Sequence, residues 1–158
     1  MSDVDPHTVL VVDDEVLMRE VLVRWLRAAG YVATEAADAS TALALVASER
    51  FDVVLVDVEM PGRDGLWLVG RLRELFPNVA IVLATASDNI PPAISMQEGV
   101  VEYLLKPFEL ERVVAAIERA VEWRRAALVT PPERNIKPLE EWIRTGSRLR
   151  RGIGDDRE

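Results

Sequence analysis

Short apolar runs recur along the chain, and each has a length typical of a buried strand. Val53–Val56, for example, are four consecutive apolar residues between Asp52 and Asp57. A run without polar alternation indicates a strand that is buried on both faces, as in a parallel sheet. We therefore predict five strands, at Thr8–Val12, Tyr31–Glu35, Val53–Val56, Val79–Leu83 and Val100–Leu105.

Apolar residues with a helical spacing fill the intervals between these runs. Met18, Leu22, Trp25 and Ala29 follow one another at spacings of four, three and four, which predicts one face of a helix that stops at Gly30. Further helices are predicted from Asp38 or Ser40 to about Arg50, from Asp64–Gly65 to Phe76, around 91–98 and from about Glu109 to Ala126.

Five strands that alternate with five helices through short connections predict one α/β domain. Such alternation implies parallel strands with right-handed crossovers, and therefore a doubly wound sheet with helices on both faces. The pattern ends at residue 126. Residues 127–158 are expected to form a linker and a C-terminal extension, with a short helix near 138–145, because Pro131 and Pro132 interrupt the helical pattern.

Composition and charge exclude several classes of site. The chain has no cysteine, so disulfides, thiol nucleophiles and cysteine zinc sites are excluded. Its single histidine, His7, cannot by itself build a metal site or a Ser/His/Asp triad. Its formal net charge is −8, and residues 1–126 hold 21 acidic against 12 basic residues, which disfavours direct nucleic-acid binding. The polar N-terminus and the lack of a run of about 18 apolar residues predict a cytoplasmic protein without a membrane span.

Polar residues that can carry chemistry follow four of the predicted strands. Asp13 and Asp14 follow the first strand, Asp57 the third, Thr85 the fourth and Lys106 the fifth. The carboxyl ends of parallel strands share one edge, so these side chains should converge there. Clustered carboxylates repel one another unless a cation lies among them, and Mg²⁺ prefers such hard oxygen ligands.

These residues carry a family resemblance that spans residues 7–126. The segments Val11–Glu15, Asp57 with Met60–Gly62, Asp64–Gly65, Thr85–Ala86 and Tyr103–Phe108 resemble, in order and spacing, the receiver domain of two-component response regulators. The resemblance implies a CheY-like, flavodoxin-like fold with strand order 2-1-3-4-5.

The resemblance also implies a role for each position of the acidic cluster. Asp57 resembles the phosphoacceptor, whose carboxylate attacks phosphorus and becomes an aspartyl phosphate. Asp14, Asp57 and the backbone carbonyl of Glu59 would ligate Mg²⁺. Asp13 would assist through the metal or its waters.

The remaining positions of the motif would act on the bound phosphoryl group. Lys106 would contact its oxygens, the hydroxyl of Thr85 would move toward it, and Tyr103 would turn inward. The implied donor is a phosphohistidine on a sensor histidine kinase or a phosphotransfer protein. The family also implies a homodimer surface on the predicted helix at 91–98, the fifth strand and the last helix. Chemistry beyond Mg²⁺-dependent self-phosphorylation and autodephosphorylation is not expected.

Other interpretations of the same residues stay open at this point. Asp13 and Asp14 could cap the first helix, and Tyr103 could be a packing residue. The chain could be an interaction module that keeps the fold without phosphorylation. An aspartate-nucleophile phosphatase of the haloacid dehalogenase kind is disfavoured, because Glu59 stands where such enzymes carry a second aspartate.

Overall fold

A parallel sheet forms the centre of the computed structural model, which describes residues 5–60, 64–86 and 99–129. The strands lie in the order β2-β1-β3-β4-β5, and each neighbouring pair is parallel, which confirms the predicted fold class and strand order. They are β1 (Thr8–Val12), β2 (Val32–Ala36), β3 (Val53–Asp57), β4 (Ala80–Thr85) and β5 (Val100–Leu105).

Four helices are described, and their bounds differ from the predicted ones by a few residues at the ends. The predicted helices at 91–98 and near 138–145 lie outside the described residues. No helix in the described ranges is both long and apolar enough to cross a bilayer. The helices are α1 (Val16–Ala28), α2 (Ala39–Ser48), α3 (Gly65–Leu75) and α4 (Leu110–Val129).

Alternation along each strand divides the core between the two faces of the sheet. Successive side chains of a strand point to opposite faces, so Val53 and Leu55 pack with α1 and α4, whereas Val54 and Val56 pack with α2 and α3. Both sets are fully buried. The uninterrupted apolar run of β3 is therefore explained by helices that cover both faces.

The first helix packs through a stripe that is rotated from the predicted one. Leu22, Val23 and Leu26 are buried, whereas Trp25 is half-buried and Ala29 is exposed.

The second helix begins at a side-chain cap, since the Asp38 carboxylate accepts a hydrogen bond from the Thr41 N–H at 2.7 Å.

At the amino edge of the sheet, one carboxylate joins three segments. Asp52 Oδ1 accepts a hydrogen bond from Arg124 Nε of α4 at 2.9 Å, and Asp52 Oδ2 accepts one from the Thr8 N–H of β1 at 2.9 Å. Arg124 also donates to the carbonyl of Asn78 at 2.7 Å. Burial alone would raise the pKa of Asp52, but these hydrogen bonds and the charge of Arg124 lower it. This network fastens the C-terminal half of α4 to the sheet.

Candidate functional site

The polar residues named from the sequence lie at the carboxyl edge of the sheet. Asp13 and Asp14 directly follow β1, and Lys106 directly follows β5, while Asp57 and Thr85 are the last residues of β3 and β4. The register pairs Asp57 with Ala84, so the ends of β3 and β4 are level. Strand order and register thus bring these segments to one edge.

Three carboxylates form a cluster at this edge. Asp13, Asp14 and Asp57 each offer an oxygen atom, and these atoms all lie within 4.8 Å of one another. Asp13 and Asp57 are buried, while Asp14 is exposed. Carboxylate oxygens that converge in this way, with one side open to solvent, are the donor set that Mg²⁺ takes from proteins. The residues present therefore fit the cation that the resemblance implies.

The ammonium group of Lys106 lies against two of these carboxylates. Lys106 Nζ is 3.2 Å from Asp13 Oδ2 and 3.6 Å from Asp57 Oδ2. Burial alone would lower the pKa of Lys106, but Asp57 and Asp13 outweigh burial and raise it. Lys106 is therefore a fixed positive charge beside the acidic cluster.

The carboxyl group of Asp57 is held in an environment that disfavours its charge. Burial, with smaller contributions from Asp13 and Asp14, raises the pKa of Asp57 to about 6, although Lys106 and a hydrogen bond from the Glu59 N–H oppose the shift. That N–H donates to Asp57 Oδ1 at 3.1 Å. Added positive charge beside Asp57 would therefore favour its ionised, nucleophilic form.

The start of α3 packs directly on the backbone of Asp57. The Gly65 N–H donates to the carbonyl of Val58 at 3.4 Å, and a Cβ atom on Gly65 would overlap the carbonyl oxygen of Asp57. Asp64 caps the helix by accepting a hydrogen bond from the Trp67 N–H at 3.0 Å. The Asp64–Gly65 pair was identified in the sequence as a motif, but the close approach that requires a glycine was not.

Thr85 and Tyr103 lie in different environments. Thr85 is buried, and its carbonyl accepts a hydrogen bond from the Lys106 N–H at 2.8 Å. Tyr103 pairs in register with Leu83 of β4 and is 42% exposed. Thr85 is therefore joined to Lys106 through the backbone, whereas Tyr103 is partly exposed at the surface.

Glu59 makes a contact that the sequence did not predict. Its carboxylate Oε1 accepts a hydrogen bond from the Ala86 N–H at 2.9 Å. No sequence pattern links Glu59 to a residue 27 positions away, so only the structure could identify this contact.

The capping interpretation of Asp13 and Asp14 is wrong, because the N-cap residue of α1 is Glu15. Asp13 Oδ1 instead accepts a hydrogen bond from the Glu15 N–H at 2.9 Å.

Comparison with known proteins agrees with the resemblance to receiver domains that was noted in the sequence. The family model described as the response regulator receiver domain matches residues 9–118. NtrC of Salmonella typhimurium, a DNA-binding transcriptional regulator, is 40% identical over 114 residues, which cover 72% of this chain and 24% of NtrC. The probable transcriptional regulatory protein TcrX of Mycobacterium tuberculosis is 37% identical over 130 residues, or 82% of this chain and 55% of TcrX. The matched region is thus about a quarter to half of these relatives.

Solved receiver structures have the same architecture. The receiver domain of NtrX from Brucella abortus is 33% identical, with a TM-score of 0.67, and the match covers 72% of this chain and 98% of that one. The chemotaxis response regulator CheY4 of Vibrio cholerae is 32% identical, with a TM-score of 0.65, over 73% of this chain and 99% of that one. The chain belongs to the response regulator receiver domain family.

Proposed function

We propose that Asp57 accepts a phosphoryl group from a phosphohistidine on a sensor histidine kinase or a phosphotransfer protein. The single observation that carries the proposal is the position of Lys106 Nζ, which lies beside Asp13 and Asp57 at the edge of the carboxylate cluster. A buried carboxylate with a fixed cation next to it can act as a nucleophile toward an anionic group, because the cation offsets the charge that arrives.

The proposed reaction is a displacement at phosphorus. An Asp57 carboxylate oxygen forms a bond to phosphorus while the bond from phosphorus to the donor's imidazole nitrogen breaks, and the leaving imidazole keeps the electron pair and takes up a proton. Lys106 Nζ, 3.6 Å from Asp57 Oδ2, offsets negative charge on the transferred oxygens. Hydrolysis of the aspartyl phosphate by water returns the protein to its starting state.

The acidic cluster has the composition of a magnesium site. Asp13, Asp14, Asp57 and the backbone carbonyl of Glu59 would hold Mg²⁺, which would neutralise charge between the carboxylates and the phosphoryl oxygens when bound. The exposed side chain of Asp14 leaves a route from solvent to the cluster.

Thr85 and Tyr103 are proposed as the residues that report phosphorylation. Thr85 ends β4 next to the cluster, and its hydroxyl would move toward a phosphoryl group on Asp57. Tyr103, 42% exposed on β5, would turn inward in response. The switch would alter a surface formed by the segment at 91–98, β5 and α4. A homodimer partner or an output partner would bind to this surface.

The receiver unit is proposed to span residues 7–126, with 127–158 as linker and extension. The relatives NtrC and TcrX are transcriptional regulators, so we infer a role in a cytoplasmic signalling pathway with this chain as its phosphorylated part. The alternative is a phosphorylation-independent interaction module. The intact set of Asp13, Asp14, Asp57 and Lys106 favours the phosphorylated switch over this alternative.

Phosphate incorporation from a small phosphodonor tests the proposal. Wild-type protein incubated with acetyl phosphate and Mg²⁺ should gain the mass of one phosphoryl group, and a chelator should prevent the gain. Asp57→Asn should gain none, while Asp52→Asn, whose carboxylate lies at the opposite edge of the sheet, should be phosphorylated like wild type. Equal incorporation by wild type and Asp57→Asn would overturn the proposal.

A further inference from the structure

The peptide group between Thr85 and Ala86 is held on both sides. Its carbonyl, from Thr85, accepts a hydrogen bond from the Lys106 N–H of β5 at 2.8 Å. Its N–H, from Ala86, donates to the carboxylate of Glu59 at 2.9 Å. The first bond continues the pairing of β4 with β5, whereas the second is made by a side chain from the loop after β3.

Glu59 is tied to the acceptor at the same time. The Glu59 N–H donates to Asp57 Oδ1 at 3.1 Å. Just before Glu59, the Val58 N–H donates to the Ala84 carbonyl at 2.9 Å, which continues the pairing of β3 with β4. Glu59 thus extends the connection between β3 and β4 beyond the sheet. One residue contacts both the carboxyl group of Asp57 and the backbone that follows Thr85.

We propose that Glu59 is a positioning residue that holds the Thr85–Ala86 peptide in its unphosphorylated arrangement and releases it when Asp57 is modified. The proposal rests on the proposed function of Asp57. It assigns to the Glu59 side chain a role separate from that of its backbone carbonyl at the metal site. Phosphorylation is then opposed by the free energy of the Glu59–Ala86 hydrogen bond.

Charge explains why the modification breaks this bond. Conversion of the Asp57 carboxylate, which carries one negative charge, to an aspartyl phosphate, which carries about two, adds about one negative charge to an edge that already holds the carboxylates of Asp13 and Asp14. Glu59 lies next to this added charge, because its N–H donates to Asp57 Oδ1. Repulsion between like charges moves the carboxylate of Glu59 away from the modified residue. The Ala86 N–H loses its acceptor, and the Thr85–Ala86 peptide moves toward the phosphoryl group.

The hydrogen bond itself is tested in protein without metal or phosphodonor. An amide that donates to a carboxylate has a proton resonance shifted downfield, so the Ala86 amide of wild type should show this shift and Glu59→Ala should lose it. Glu59→Gln keeps a neutral acceptor of the same size and should give an intermediate shift. Glu15→Gln removes a carboxylate from the same edge without touching Ala86 and should leave the signal in place. Thermal melts establish that each variant is folded.

Binding of beryllofluoride with Mg²⁺ tests the link to the acceptor, because this anion adds to carboxylates in the place of a phosphoryl group. Loss of one hydrogen bond predicts a dissociation constant about three- to tenfold lower for Glu59→Ala than for wild type. Glu59→Gln should lie between them, and Glu15→Gln should change binding less than Glu59→Ala.

The outcomes separate this inference from the proposed function. If wild type binds beryllofluoride but Glu59→Ala binds no more tightly, or if Glu15→Gln tightens binding as much as Glu59→Ala does, Glu59 has no positioning role. An Ala86 amide signal that is the same in wild type and Glu59→Ala would also overturn the inference. If wild type fails to bind beryllofluoride, the proposed function of Asp57 fails and the inference fails with it.

Discussion

Lys106 Nζ lies 3.6 Å from Asp57 Oδ2 although the strand that Asp57 ends and the strand that Lys106 follows are not neighbours. Asp57 ends β3 and Lys106 follows β5, with β4 between them in the sheet. The lysine side chain therefore reaches across the end of an intervening strand to the acidic cluster. This relationship depends on strand order, and it gives the cluster a positive charge that no residue of β1 or β3 supplies.

Replacement of Lys106 by methionine should separate chemistry from metal binding. We expect phosphorylation of Lys106→Met by acetyl phosphate to be about 100-fold slower than that of wild type, because a donor to the developing charge is lost. Binding of Mg²⁺ should be as tight as in wild type or tighter, since a nearby positive charge is removed. Quench-flow phosphorylation and calorimetric titration measure the two effects. A variant with wild-type phosphorylation kinetics would exclude Lys106 from the reaction.

Removal of the exposed carboxylate of the cluster should weaken metal binding. We expect Asp14→Ala to raise the Mg²⁺ dissociation constant at least about tenfold, because substitutions around bound metals commonly have effects of this size. Glu74→Gln, which removes an exposed carboxylate of α3 outside the cluster, is the matched control and should bind as wild type does. Calorimetry at constant ionic strength measures both. Equal affinities for Asp14→Ala and wild type would contradict the metal assignment.

The raised pKa of Asp57 predicts a stability difference that depends on pH. The carboxyl group has a pKa of about 6 in the fold and about 3.9 in an unfolded chain. Between these values the folded state binds more protons, so stability falls as pH rises through this window. Above pH 6 in the absence of Mg²⁺, Asp57→Asn should be more stable than wild type by about 1–2 kcal/mol.

This advantage of Asp57→Asn should shrink as pH falls from 6 toward 4, because the wild-type carboxyl becomes protonated. Urea unfolding at several pH values without metal measures it. A difference that stays constant across this range would show that burial of the Asp57 charge does not cause it.

At the amino edge, the contacts of Arg124 should contribute to stability and not to chemistry. Arg124→Ala removes hydrogen bonds to Asp52 and to the Asn78 carbonyl, and we expect a loss of about 2 kcal/mol in the free energy of unfolding. Arg125→Ala removes an exposed pair with Glu122 and should cost under about 0.5 kcal/mol. Denaturant unfolding compares them. Phosphorylation of both variants at low temperature should match wild type, and a selective loss in Arg124→Ala would contradict a purely structural role.

The sequence alone predicted that the polar residues of the site lie close together, because a single rule about parallel sheets was enough for that prediction. Parallel strands place their carboxyl ends at one edge, so Asp13, Asp57 and Lys106 could be brought together without coordinates. The order of the strands could not be predicted in this way, since alternation of strands and helices does not determine it. That order came from the family resemblance, and the structure confirms it.

Contacts between distant side chains were beyond sequence reasoning. Glu59 with Ala86 and Asp52 with Arg124 join residues 27 and 72 positions apart, and neither pair lies on a periodic pattern. The packed stripe of α1 was predicted only in part, because Ala29 fits the helical spacing yet lies past the end of α1 and is exposed. Periodicity identifies a helix face but not how far along the helix it is covered.

Identification of the modified residue tests the central claim most directly. Borohydride reduces an aspartyl phosphate to homoserine, so protein phosphorylated with acetyl phosphate and Mg²⁺ can be reduced, digested and sequenced by mass spectrometry. We predict homoserine at position 57 and unmodified aspartate at positions 13, 14 and 52. Homoserine at another position, or its absence from protein shown to carry phosphate, would contradict the account.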